Sequence, residues 1–267
     1  MNEKIKINLN GTAETMLQSF YARAKYSKNK GHKFYDSKAV ELVERIDYDF
    51  SLAEGDSTMS DGVIARTLVF DEIVEDFIEK YPDCQIVNIA CGLDTRFYRV
   101  DNGKLHWFNL DLPEIIEIRN KIFNESGRIL NIGCSVLDST WVEKVAADRK
   151  TLFIIEGLSM YFSKEQNAKM LEIIGKNFKD ATVFLECLAK KWVNREKIEK
   201  SIQNTGAKFI FGADSFDDIA DIAVGFDKIK DDNITRGMIA LHPFLKPLEN
   251  FAFVNKMTEK ILIFKKA

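Results

Sequence analysis

A glycine turn between two carboxylates is the stretch of this chain best suited to chemistry. Residues 85–99 read QIVNIACGLDTRFYR. The short apolar run Ile86-Val87-Asn88-Ile89-Ala90 has the character of a buried parallel strand. It breaks at Cys91-Gly92, where a residue without a side chain lets the backbone turn sharply. Asp94 and Thr95 then read as the cap and first turn of a helix. A strand, a glycine turn and a helix start present backbone N–H groups to a ligand at the carboxyl end of a sheet. A second apolar run, 105–110, is closed by Asp111. That carboxylate falls about 20 residues beyond the turn, where strand-end acids meet ribose hydroxyls in nucleotide-binding folds.

The turn does not suit a dinucleotide. Ala90 stands where the first glycine of G-x-G-x-x-G belongs, and Thr95 where the third belongs. Asp94 places a negative charge where a diphosphate would lie. A cationic ligand that carries a ribose fits better. S-adenosylmethionine (SAM), with a sulfonium, an ammonium, a ribose and one carboxylate, is such a ligand. Glu156, at the end of the apolar run 151–155, is a second strand-end carboxylate and is expected to face its cationic part. Ser163 with Gln166 makes a capping box for the next helix, which leaves Glu156 free for that role. Met160, Tyr161 and Phe162 would then roof the methyl group, and Tyr161 is the candidate for the acceptor pocket. A catalytic residue is not otherwise legible.

Several blocks also resemble a known family. VNIACGLDTRFYRV, NLDLPEIIEIR and FIIEGLSMYF, with YARAK, KFYDSKAVELV and RIDYDF in residues 14–50, are similar to the leucine carboxyl methyltransferase family, most of all its bacterial branch. The resemblance runs to about Cys187. It implies SAM as cofactor and an arginine at Arg66, in ARTLVFDE, on the SAM carboxylate. A planar guanidinium pairs bidentately with a carboxylate, which agrees. Arg23 is expected to assist. The bland alternative for Arg66 is a surface ion pair with Asp71 or Glu72. The resemblance also assigns adenine contacts to the loop at Ser135 and Val136, although the family pattern has an acid near Ser135. Asp138, close by, has a simpler role as a helix cap. Ala90, Gly92, Asp94, Asp111 and Leu112 complete the expected cofactor set.

The elements that would position these groups alternate between strand and helix, which predicts a doubly wound, mostly parallel α/β sheet of the class I methyltransferase kind. Helices are predicted over 12–24, 37–46, 61–80 and 163–178, with further strands over 128–134 and 181–187. A terminal antiparallel hairpin is expected from 251–254 and 260–264. One domain of 267 residues is expected, with residues 1–60 as a helical lid and 190–248 as an inserted cap that includes a charged helix from Lys190. Arg23, Lys25, Lys28, Lys30 and Lys33 form a basic stretch, read as a solvated face or as a lid over an anion.

Composition narrows the function. A net charge of -3 disfavours a nucleic-acid partner. No apolar run is long enough for a membrane span, and a cytoplasmic location is expected by default. The four cysteines are scattered without a C-x-x-C pair and read as reduced core residues, and no metal is expected. The reading is a SAM-dependent O-methyltransferase acting on the carboxylate of a small molecule, since a carboxylate is ionised near neutral pH and needs no general base. An acceptor hydroxyl remains open through His242, as does a SAM-binding protein without transferase activity.

Overall fold

A computed structural model describes residues 4–7, 12–28, 34–50, 57–195, 208–248 and 258–267. Its centre is a seven-stranded sheet. In chain order the elements that matter are β1 (Ile5–Lys6), α1 (Thr12–Lys28), α2 (Ser37–Val43), β2 (Ile46–Asp47), α3 (Ser57–Lys80), β3 (Gln85–Ile89), α4 (Phe97–Val100), β4 (His106–Asp111) and α5 (Pro113–Ile122). They continue through β5 (Ile129–Gly133), β6 (Thr151–Ile155), α6 (Lys164–Asn177), β7 (Ala181–Cys187), β8 (Phe226–Asn233), α7 (Thr235–Leu241) and β9 (Lys260–Lys266). The sheet order is β5-β4-β3-β6-β7-β9-β8, parallel except where β9 joins β7 and β8. The order reverses between β3 and β6, and such a reversal opens a crevice at the carboxyl ends of the strands.

Period-two burial explains the layers. Val87, Ile89, Phe153 and Ile155 pack on one face with Leu171 and Ile174 of α6 and with Phe178 just beyond it. Ile86, Leu152 and Ile154 pack on the other with Val69, Val74 and Ile78 of α3. A third cluster joins Leu17, Phe20 and Ala24 of α1 and Leu42 of α2 to Leu93, so the N-terminal helices are seated on the glycine turn itself.

The C-terminal half differs in detail from expectation. β9 does sit antiparallel in the sheet, but its outer partner is β8 from the acidic stretch assigned to the cap. β8 is an edge strand with the sequence FDKIKDDN, so Asp227, Lys228 and Lys230 remain in water and no apolar alternation marks it. Residues 251–254, the expected partner, lie outside the described residues. The helix expected from Lys190 is described only as a 3-10 turn, Lys190–Trp192, and residues 196–207 are likewise not described.

Candidate functional site

A cavity of about 1480 Å³ opens at the carboxyl ends of the central strands. Arg23, Arg66, Ala90, Gly92, Asp94, Asp111, Leu112, Ser135, Val136, Glu156 and Tyr161 all line it. Ala90 and Gly92 both take left-handed backbone, with φ of 53° and 46°. A non-glycine residue there is strained by roughly 1–2 kcal/mol, and two bonds hold the turn. The Asp94 N–H donates to Cys91 O at 2.8 Å. The Gly92 N–H donates to Asp111 Oδ2 at 2.8 Å. Asp111 Oδ1 accepts the Leu112 N–H, also at 2.8 Å, so backbone donors orient both oxygens. Burial pushes the Asp111 pKa above the ordinary carboxylate value, against these two donors and the nearby charge of Arg119.

Asp94 is not the helix cap expected of it. α4 starts only at Phe97, and Asp94 accepts instead from the Arg96 N–H at 3.0 Å, from Arg96 Nη1 at 3.1 Å and from Asn88 Nδ2 at 2.8 Å. A buried guanidinium adds a full opposite charge to the hydrogen bond, where a helix N-terminus offers only about half a charge. Burial opposes ionisation of Asp94, but Arg96, Arg23 and Arg99 together hold its carboxyl below the usual range. Thr95 turns away and donates to Asp36 Oδ2 at 2.5 Å.

The arginines extend this into a network absent from the sequence reading. Arg96 reaches Asp71 at 2.8 Å and Glu156 at 2.7 Å. Arg99 reaches the same Asp71 at 2.6 Å and Asp36 at 2.7 Å. The capping box of Ser163 and Gln166 forms on α6, so Glu156 is free of that helix. Its charge is matched within the protein, however, by Arg96 and by Arg66, whose Nε lies 2.8 Å away. Arg66 Nη1 also donates to Glu186 at 3.2 Å. Neither Asp71 nor Glu72 engages Arg66, because Asp71 serves Arg96 and Arg99 while Glu72 pairs with Arg236. Glu186 accepts the Gly157 N–H at 2.5 Å and shares a hydrogen bond with Glu259. Burial, with Glu259 and Glu156 adding to it, holds the Glu186 carboxyl well above its ordinary pKa despite Arg66.

Arg23 is buried and not part of a solvated face. Its Nη2 donates to Leu93 O at 3.0 Å, while its Nε has no hydrogen-bond partner and sits 3.5 Å from Asp36 Oδ2. Lys28 pairs with Glu44 at the surface, and Lys30 and Lys33 lie outside the described residues. Asp138 caps the 3-10 helix Ser139–Lys144 through the Thr140 N–H. Beyond Gly157 the wall turns apolar. Met160, Leu188 and Phe209 are buried together, with Tyr161 and Trp192 against them. The Tyr161 and Phe209 ring centroids are 5.4 Å apart. His242 is outside the lining and pairs with Asp61 at 2.7 Å.

The residues present fit SAM. Asp111 is a carboxylate held by backbone donors, the turn brings main chain to the cavity wall, and Arg23 Nε is a buried donor without a hydrogen-bond partner. Drug-sized ligand pockets measure roughly 300–1,000 Å³, so the larger volume here admits a donor and an acceptor together. The charged partners that the sequence reading missed share one signal. Arg96 and Arg99 stand three residues apart just beyond the turn that follows a buried strand, where a helix-surface reading leaves a charged face nowhere to go.

Comparison with known proteins agrees. A family model described as leucine carboxyl methyltransferase matches residues 13–175. The tetracenomycin polyketide synthesis O-methyltransferase TcmP of Streptomyces glaucescens is 30% identical over 77% of each chain. The S-adenosyl-L-methionine-dependent methyltransferase dpfgK of Gibberella zeae is 30% identical over 68% of this chain and 66% of its own. Among solved structures, the magnesium protoporphyrin IX methyltransferase of Synechocystis with bound S-adenosylhomocysteine superposes with a TM-score of 0.52. It is 11% identical and covers 86% of this chain and 95% of its own.

Proposed function

We propose that this chain, which belongs to the leucine carboxyl methyltransferase family and is a SAM-dependent methyltransferase, methylates the carboxylate oxygen of a small molecule. SAM supplies the methyl group and the leaving thioether. The protein's own part is to bind, align and exclude water, which is where most of the rate of an in-line displacement arises. Asp111 is assigned to the ribose hydroxyls, Ser135 and Val136 to the adenine, and Arg66 with Arg23 to the SAM carboxylate. Tyr161 is assigned to the acceptor side, and the N-terminal helices to a lid over the donor.

The observation that carries the acceptor reading is the wall beyond Gly157. It is apolar and aromatic, carries Arg195 for an anion, and contains no histidine among the described lining residues. A carboxylate acceptor needs no base, whereas an alcohol or phenol usually does. The name of the Streptomyces relative adds that an O-methyltransferase of this kind acts in polyketide synthesis. One feature favours a second reading. Glu259 lines the cavity and is hydrogen-bonded to Glu186, which would suit an acceptor hydroxyl that must lose a proton.

The test is S-adenosylhomocysteine release with a panel of carboxylic acids, each paired with its methyl ester and a hydroxyl analogue. Turnover of acids but not esters supports the carboxylate. Turnover of hydroxyl analogues with a rising pH profile supports the second reading. SAM binding without turnover of any would leave a SAM-binding protein.

A further inference from the structure

We propose that Arg119 is a positioning residue for the donor, setting the glycine turn from outside the cavity; this rests on that turn binding SAM. Arg119 lies on α5, is 1% exposed and is absent from the cavity lining. Two of its nitrogens fork onto Glu125, Nε at 2.8 Å and Nη2 at 2.6 Å. Its guanidinium carbon sits 4.3 Å from the centroid of the Phe123 ring. Glu125 is itself held by the Tyr98 hydroxyl at 3.2 Å and by Asn131 Nδ2 at 2.9 Å. This seat leaves Nη1, which donates to both Gly92 O and Asp94 O at 2.9 Å.

Those acceptors are what give the contact its meaning. Gly92 has φ of 46°, and a glycine has many other conformations open to it. Its N–H is tied to Asp111 and its C=O to Arg119, so the residue is fixed at both ends. Arg119 also brings positive charge near the Asp111 carboxylate, which burial otherwise drives toward its neutral form. One buried cation thus selects the turn conformation and favours the ionised acid beside it. A merely space-filling residue on α5 would leave the Gly92 and Asp94 carbonyls without this donor, and an unmade buried hydrogen bond is costly.

The test uses Arg119→Lys, which keeps the charge and loses the fork, and Glu125→Gln, which keeps the shape and weakens the seat. SAM and S-adenosylhomocysteine are titrated by calorimetry, and amide exchange is followed in the folded proteins. Affinity for both ligands should fall about 10- to 100-fold in Arg119→Lys, as expected when hydrogen bonds from a charged donor are lost, and less in Glu125→Gln. Exchange should quicken in the peptide covering residues 90–96 while β3 and β6 remain protected. Native affinity with native exchange at the turn would overturn the proposal. So would uniform loss of protection across the sheet, or failure of both variants to fold, since either makes Arg119 a residue of the fold alone. A wild-type protein that binds no SAM would instead remove the premise.

Discussion

Arg66 is compensated by two carboxylates before any ligand arrives, and this changes how its substitution must be read. Burial opposes its charge, yet Glu186 and Glu156 raise its pKa above the ordinary value, so it stays cationic. Arg66→Ala would leave Glu186 without its cation and Glu156 with Arg96 alone, and breaking a buried pair in this way destabilises by about 3–5 kcal/mol. Arg66→Lys is the cleaner probe, because it keeps the charge but not the fork. SAM and S-adenosylhomocysteine should lose affinity for this variant, while 5′-methylthioadenosine, which has no carboxylate, should be little affected. Equal losses for all three would make Arg66 a support of the fold. At Asp111, substitution by Ala should weaken SAM by roughly 1–3 kcal/mol without preventing folding. Asp111 offers both oxygens as charged acceptors only when ionised, and burial raises its folded pKa. If Asp111 holds the ribose, SAM affinity should be full above that raised pKa and weaken as pH falls through it. Titrations at descending pH should show this step in the wild type, and Asp111→Ala should lack it.

At the scale of elements, α1 and the glycine turn form one unit. A Cβ added to Gly92 would lie 3.1 Å from Met16 Cβ and would hold a left-handed φ. Gly92→Val should therefore abolish SAM binding through two separable faults. Pairing Gly92→Ala with Met16→Gly removes the contact and keeps the backbone strain, so calorimetry on the pair should recover part of the affinity. Full recovery would mean that the turn tolerates a side chain. The strands were legible where both faces are buried, since residues 152–155 in β6 and 183–185 in β7 are continuous apolar runs. β8 was not, because an edge strand with Asp227, Lys228, Lys230 and Asp231 has no periodicity to read. For the same reason the acidic stretch suggested a cap. The helix start at Asp94 was misplaced because propensity ranks a cap above a salt bridge whose partners lie far off in sequence.

Taken as a whole molecule, the cavity was foreshadowed by its strand-end residues and hardly at all by what neutralises them. Gly92, Asp111 and Glu156 follow from the alternation of strand and helix. Asp36, Asp71 and Glu186, which hold the arginines, come from α2, α3 and β7 and converge only once the sheet is ordered. That convergence has a consequence in temperature. Withdrawing so many ions from water is penalised, and the penalty falls on heating because the hydration of charged groups carries a strongly negative entropy. The chain of charges from Asp36 through Arg99, Asp71 and Arg96 to Glu156 and Arg66 should then be the part of the protein that heat weakens least. Exchange measured at rising temperature should open the outer strand β8 well before the turn at Gly92. A protein built this way should lose its rim first and keep the turn at Gly92 almost to the melting point.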